Sequence, residues 1–379
     1  HFVFMPVDKA AQTLAVCCKV CYVKKAVEYQ HSVTRPSSAE DLATAKHDAK
    51  QFALHWTGPS KFTANGITPY MYVNPKFHKN PISYRPIVGK NDASWDDHVG
   101  RLLNECLSTV LNTAQEMGAE FRRNHGIKPF HVITEVLQAT EMLQQAGLEG
   151  KLDSMHWSTS DFSNCYTELD QDRVVRDASA FCLRVFDWMA KRLVTQPKHL
   201  RLFPQLDDKK HTHGVWNTQS ENSAGFTHEK LVTLLTFCVK NSFIVTPEDS
   251  IRCQLAGLGM GKIYSNALCN MTIAEPEWRH AEAIAFDADR RRLCIEKTAG
   301  LAFVCRFVDD RLNTYSAQEF LPSAEDYNMR MSEVQNGPRV HYCGHAINSE
   351  GKFMLSLYDR QDALPIRIKR YPAERSCVP

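Results

Sequence analysis

Two adjacent carboxylates, Asp309 and Asp310, stand in the middle of residues 301–315, LAFVCRFVDDRLNTY. An apolar run rises to Val308, and a second run with β-branched and aromatic residues follows the pair. That pattern predicts strand, tight turn, strand, with the aspartates at the turn. Neighbouring carboxylates repel each other, so an ordered pair of this kind often holds a cation. A solvated hairpin tip gives the same pattern, because Asp is common in turns. A third carboxylate bears on the choice. Asp161 closes a predicted strand within residues 151–163, KLDSMHWSTSDFS, and Tyr166 follows five residues later. Three carboxylates on two adjacent strand ends can bridge two Mg2+ ions roughly 4 Å apart, clamping a phosphate and neutralising a leaving oxygen. Oxygen-only ligation suits Mg2+.

Phosphate chemistry also needs cations. Residues 69–79 and 81–90 are rich in proline and alternate apolar positions, which predicts an extended strand pair. This pair carries Lys76, Lys79, Arg85 and Lys90. Arginine forks onto phosphate oxygens and lysine acts as a point charge. Gly257, Gly259 and Gly261 lead into a predicted helix, where bare backbone can approach a flat ligand such as a base pair; a helix lead-in reads the same way. Two other clusters carry less. Cys17, Cys18 and Cys21 form CCxxC without a second cysteine pair at finger spacing, and His211-Thr212-His213 has no third ligand nearby in sequence.

Elements must hold these groups. Helical periodicity is read over residues 10–56, broken at Thr34-Arg35-Pro36, and again over 98–117, 130–146, 170–193, 229–241 and 323–334. Residues 201–223 read as a polar loop, and 243–245 as a short strand. Residues 340–347 and 352–358 read as a strand pair about a turn at 348–351. Helices and strands mix without a βαβ beat, which predicts an α+β fold.

The chain has 379 residues, which at about 150 per domain suggests two or three compact units. Its 43% hydrophobic content can fill a large core. A net charge of +2 neither requires nor excludes nucleic acid, since a basic groove can be offset by an acidic site. Among 13 cysteines, Cys182, Cys238, Cys294 and Cys305 lie in apolar runs, as small core residues of a reducing interior do. No apolar run reaches about 18 residues, so no membrane span is expected. A chain that begins at His1 and not Met is expected to be a fragment or a trimmed product.

In order, the blocks PYMYVNPKFHKNP with RPIV, SDFSNCYTEL, QLAGLGMGKIYSNALCNMTIAE, RFVDD and LSLYDR resemble the reverse transcriptase family. Within it they are most similar to the Penelope-like element enzymes, relatives of telomerase reverse transcriptase. The resemblance implies a right-hand polymerase core of fingers and palm, with an antiparallel palm sheet. It divides the chain into fingers with an N-terminal helical region (1–150), a palm carrying the catalytic carboxylates (151–340), and primer-grip strands leading to a truncated thumb connection (341–379). It implies an RNA-directed DNA polymerase that extends a primer 3′-hydroxyl with dNTPs on an RNA template, using two Mg2+ ions for which Mn2+ can substitute. An intracellular, nuclear setting goes with it.

Carried over, Asp161 and Asp309 would be the principal metal ligands and Asp310 the third carboxylate. Tyr166 would be the steric gate against a 2′-hydroxyl. Lys76, Lys79 and Arg85 would meet the triphosphate. Gln254, Gly257 and Gly261 would lie along the nascent base pair, and Tyr358 and Arg360 would form the primer grip. Three positions depart from the family pattern. Lys262 stands where a small hydroxyl residue is usual, and such a cation could touch phosphate or reshape the pocket. Tyr342-Cys343-Gly344 replaces a strand that normally carries an acid. Arg360 replaces a lysine. Two alternatives stay open: a catalytically retired reverse transcriptase acting as an RNA-binding scaffold, and a host-adopted or telomerase-type polymerase.

Overall fold

The computed structural model describes residues 1–7, 10–57, 66–76, 82–89, 94–163, 165–204, 214–218, 225–246 and 249–358. Lys79, Lys90, His211, His213 and Arg360 lie outside them. The chain opens with β1 (Phe2–Val7), β2 (Ala10–Cys18), α1 (Lys19–Val33), β3 (Thr34–Pro36), α2 (Ala39–Thr57), β4 (Met71–Lys76) and β5 (Ser83–Val88). Next come α3 (Asp97–His125), α4 (Val136–Leu148), β6 (Trp157–Phe162), α5 (Cys165–Glu168) and α6 (Gln171–Arg192). Then follow β7 (Leu200–Phe203), β8 (Val215–Thr218), α7 (His228–Lys240), β9 (Phe243–Val245), β10 (Ile251–Gln254), α8 (Ser265–Phe286) and α9 (Ala288–Thr298). The last elements are β11 (Cys305–Phe307), β12 (Asp310–Thr314), α10 (Ala324–Tyr327), β13 (Met331–Gly337), β14 (Arg339–Tyr342), β15 (His345–Asn348) and β16 (Met354–Leu357). No described helix is long and apolar enough to cross a membrane.

Two compact units result. One contains His1–Gly100 and Phe237–Lys262; the other contains Arg101–Thr236 and Ile263–Tyr358. In the first, β4 pairs antiparallel with β5, and β10 lies between β3 and β9. The second is built on an antiparallel sheet of order β11-β12-β6-β13. Period-2 alternation gives that sheet two buried faces. Trp157, Cys305 and Leu312 point into a core with Leu143 of α4 and Val340 of β14. The other face carries Ser158, Ser160, Arg306 and Arg311, all buried. Helix α6 packs along α8. Asp170 caps α6 by accepting the Arg173 N–H at 2.7 Å, and Lys191 and Arg192 occupy its last turn, where cations favour the helix dipole.

Several sequence expectations are corrected. Residues 10–18 form β2, which pairs with β1 from Phe2 to Val7; only from Lys19 does the chain turn helical. The helix expected from 130 begins at Val136, because residue 132 bridges in parallel to Arg306 at the sheet edge. Residues 201–223 include the paired strands β7 and β8. The helix expected over 323–334 is one turn followed by a strand. Ser323 and Asp326 form a capping box, but Asn328 turns left-handed at φ 43° and the chain leaves as β13. The final strand pair is a three-stranded meander, β14-β15-β16. Cys343 (φ 47°) and Gly344 (φ 86°) make a two-residue hairpin loop with both residues left-handed.

Candidate active site

The hairpin expected at the paired aspartates is present. Phe307 pairs with Asp310, so β11 and β12 are joined by a two-residue loop of Val308 and Asp309. Val308 has φ 57° while Asp309 keeps negative φ, a pattern that normally recruits glycine to the first loop position. A β-branched residue there is strained by about 1–3 kcal/mol and persists only where its surroundings enforce it. They do. The Arg306 guanidinium donates to the Val308 carbonyl at 2.7 Å, and the Phe162 N–H donates to the Asp309 carbonyl at 3.0 Å. The Tyr342 hydroxyl braces the stem by accepting the Phe307 N–H at 3.1 Å and donating to the Asp310 carbonyl at 3.3 Å. The strand ending at Tyr342, just before Cys343-Gly344, thus supplies a hydroxyl to the hairpin.

Asp161 is the in-register neighbour of Asp310 across the β6–β12 ladder, and Ser332 of β13 flanks it on the other side. Register partners share a sheet face, so these two carboxylates emerge together beside the loop that bears Asp309. All three side chains are half-buried. Among the described residues no three His, Cys, Asp or Glu side chains converge into a preformed metal cage. The donor set still fits Mg2+, which takes one or two carboxylates and completes its shell with water and substrate phosphate.

Tyr166 lies on α5, which Cys165 holds against Cys269 of α8, their sulfurs 2.7 Å apart. Burial pushes the Tyr166 phenol well above its usual range, and the neighbouring Cys269, Cys165 and Asp309 groups add to it. The ring therefore stands protonated in the field of Asp309. Tyr358 stacks on His341 with ring centroids 3.7 Å apart, and its N–H donates to Gly344.

The remaining expected site residues belong to the first unit. Lys76 ends β4, and Arg85 pairs in register with Asn74. Gln254 is buried at the end of β10, where its amide donates to the Ala256 carbonyl at 2.8 Å and accepts from the Ser242 hydroxyl. Gly257 is left-handed at φ 73°. Gly261 has φ 113°, and a Cβ built there would overlap the Val88 carbonyl. The Val88 N–H donates to the Met260 carbonyl at 2.7 Å, so the glycine loop lies directly against β5. Lys262 forms an ion pair with Asp96, which also accepts the Ser94 hydroxyl.

Sequence reasoning missed the buried network beneath the hairpin. Arg306 and Glu277 are both fully buried and paired at 2.8 Å. Burial alone would raise the Glu277 carboxyl, but the charge and hydrogen bonds of Arg306 more than offset it and hold it below its usual range. Burial drives His131 down to about 3, so its ring is neutral. The available signal was an arginine in an otherwise apolar strand, Val304-Cys305-Arg306-Phe307-Val308, since a buried cation requires a buried partner.

These features together define the right-hand polymerase fold, an antiparallel palm sheet with a carboxylate hairpin beside a third carboxylate. The chain is similar to telomerase from Candida albicans in complex with a TWJ fragment of telomeric RNA, with a TM-score of 0.53 and 10% identity over 94% of this chain and 54% of that one. It is likewise similar to apo telomerase from Candida tropicalis, with a TM-score of 0.52 and 9% identity over 94% and 55% of the two chains. A form of that enzyme truncated from its C-terminal domain gives 0.52 and 11%, over 94% and 64%. The chain therefore spans less than two thirds of each. No protein-family model matches it, and no curated protein matches it in sequence.

Proposed function

We propose that this chain is the fingers-and-palm core of a reverse transcriptase of the Penelope-like class, extending a DNA primer with dNTPs on an RNA template in the nucleus. The observation that carries the reading is the register pairing of Asp161 with Asp310 beside Asp309 in a braced two-residue loop. Two Mg2+ ions, or Mn2+ in their place, would neutralise charge on the transferring phosphoryl group and the leaving pyrophosphate. The chain's own part is to hold the three carboxylates half-buried, with Tyr166 beside Asp309 limiting the room at the sugar. Lys76, Lys79 and Arg85 supply cations for the triphosphate, and Tyr358 and Arg360 the primer grip.

Primer extension on RNA and DNA templates tests this, with Mg2+ or Mn2+. The wild-type chain is expected to incorporate dNTPs, and Asp309→Ala to abolish incorporation. Activity that survives Asp309→Ala sinks the site assignment. A wild-type chain that binds hybrid but extends nothing supports the retired scaffold. The telomerase-like fold favours a second reading, a telomerase-type polymerase. Copying confined to one dedicated RNA, and not any annealed template, would establish it.

A further inference from the structure

Arg306 ties a helix to the loop that carries Asp309. Its Nε donates to Glu277 Oε1 at 2.8 Å and its Nη2 reaches Glu277 Oε2 at 3.4 Å, both on α8. Nη1 donates to Asn270 Oδ1 at 3.1 Å and to the Val308 carbonyl at 2.7 Å. The backbone of Arg306 is fixed as well. Its N–H donates to the His131 carbonyl at 2.7 Å, and its carbonyl accepts the Ile133 N–H at 2.9 Å. Anchor and tip are thus both held, with 0% of either charged side chain exposed.

Burying an ion pair is a weak way to gain stability, since apolar residues of similar volume usually serve as well. What this pair does that apolar residues cannot is hold a carbonyl inside a strained loop. Val308 occupies a left-handed conformation that a β-branched side chain resists. The Val308 carbonyl belongs to the peptide that leads directly into Asp309. A guanidinium can meet Glu277, Asn270 and Val308 at once because its donors form a planar fork; a lysine ammonium cannot.

We propose that Arg306, anchored by Glu277 and Asn270, is the positioning residue that sets the Asp309 carboxylate for nucleotidyl transfer. This rests on the polymerase reading above. A misplacement of about 1 Å in a reacting group costs about 100-fold in rate, and the bond to Val308 prevents a shift of that size.

The test uses the full chain carrying Arg306→Met with Glu277→Leu, which removes the bond to Val308 without stranding a charge, and separately Arg306→Lys. Two readouts are taken: single-nucleotide extension kinetics, and hydrogen exchange at the Phe162 amide, which donates to the Asp309 carbonyl. The double variant is expected to melt cooperatively but several degrees below wild type, because the buried His131 N–H, which donates to Glu277 Oε2 at 3.1 Å, loses its acceptor. Its kcat should fall about 100-fold while KM for dNTP stays within about threefold, and its Phe162 amide should exchange at least about tenfold faster. If the double variant does not fold, the same readouts on Arg306→Lys decide. Wild-type kcat, wild-type protection at Phe162, or a loss confined to KM each overturns the proposal. A wild-type chain that extends no primer overturns the polymerase reading instead, and leaves the hairpin claim to the exchange measurement.

Discussion

Lys262 offers a sharp test of how the glycine loop is held. Its ammonium pairs with Asp96, with 9% and 14% of the two side chains exposed. Removing one partner of a buried pair costs about 3–5 kcal/mol, because the other charge is left without compensation. Asp96 keeps the Ser94 hydroxyl and some contact with solvent, so Lys262→Met should fall at the low end, about 3 kcal/mol. The local reporter is the Val88 amide, which donates to Met260. At about 1.4 kcal/mol per decade, its exchange should accelerate about 100-fold. Adding Asp96→Asn should return it to within about tenfold of wild type, a coupling of the size that contacting residues show. Native-state hydrogen exchange followed by NMR gives both numbers. An unchanged Val88 rate in Lys262→Met refutes the argument. So does a double variant as labile as the single. A tenfold rise in KM for dNTP with unchanged exchange would return Lys262 to a phosphate-binding role.

Three further outcomes are expected. Tyr166→Ala should admit ribonucleotides at least about tenfold more readily relative to dNTPs, measured as the ratio of kcat/KM values, and an unchanged ratio removes the gate role. His131 gives a pH dependence. The folded ring refuses a proton down to about 3, against an ordinary value of 6.5. The unfolded chain therefore binds the extra proton between those limits, and stability is whole above the upper one and falls as pH drops through the window. At pH 5 the loss should be about 2 kcal/mol, seen in urea midpoints and missing in His131→Gln; matching profiles for the two chains would contradict it. Gly261→Ala should destabilise the first unit by more than about 1 kcal/mol and expose the Val88 amide, since the new Cβ meets the Val88 carbonyl at a left-handed φ. Wild-type exchange at Val88 would show that the loop can relax.

The local part of the site was legible in the sequence. An apolar run, two aspartates and a β-branched exit specify a hairpin, and the run before Asp161 specifies a strand that ends near it, because both are short-range patterns; that the two strands lie side by side is a long-range pairing no local pattern carries. The same short range explains the errors. Ser323 and Asp326 signal a helix start, and they do cap one, but nothing nearby in sequence announces that Asn328 ends it after a single turn. The residues that follow form an edge strand with one face largely in solvent, so β13 lacks a clean apolar alternation. Residues 10–18 contain three alanines, which favour helix, and pairing with β1 overrides that local preference. Arg306 was visible as a motif letter, yet its partner lies 29 positions away on a helix, and no periodicity links the two.

The pairing of Asp161 with Asp310 joins strands about 150 positions apart in the chain, and such distant contacts close late and slowly during folding. Between those strands the chain also leaves the second unit, for Phe237–Lys262, and returns to it. A ribosome must have passed β12 before any trio of charges exists to attract an ion. Until then the emerging polypeptide carries Asp161 as an ordinary strand-end acid, and the three-carboxylate cluster forms only with the pairing of β6 and β12.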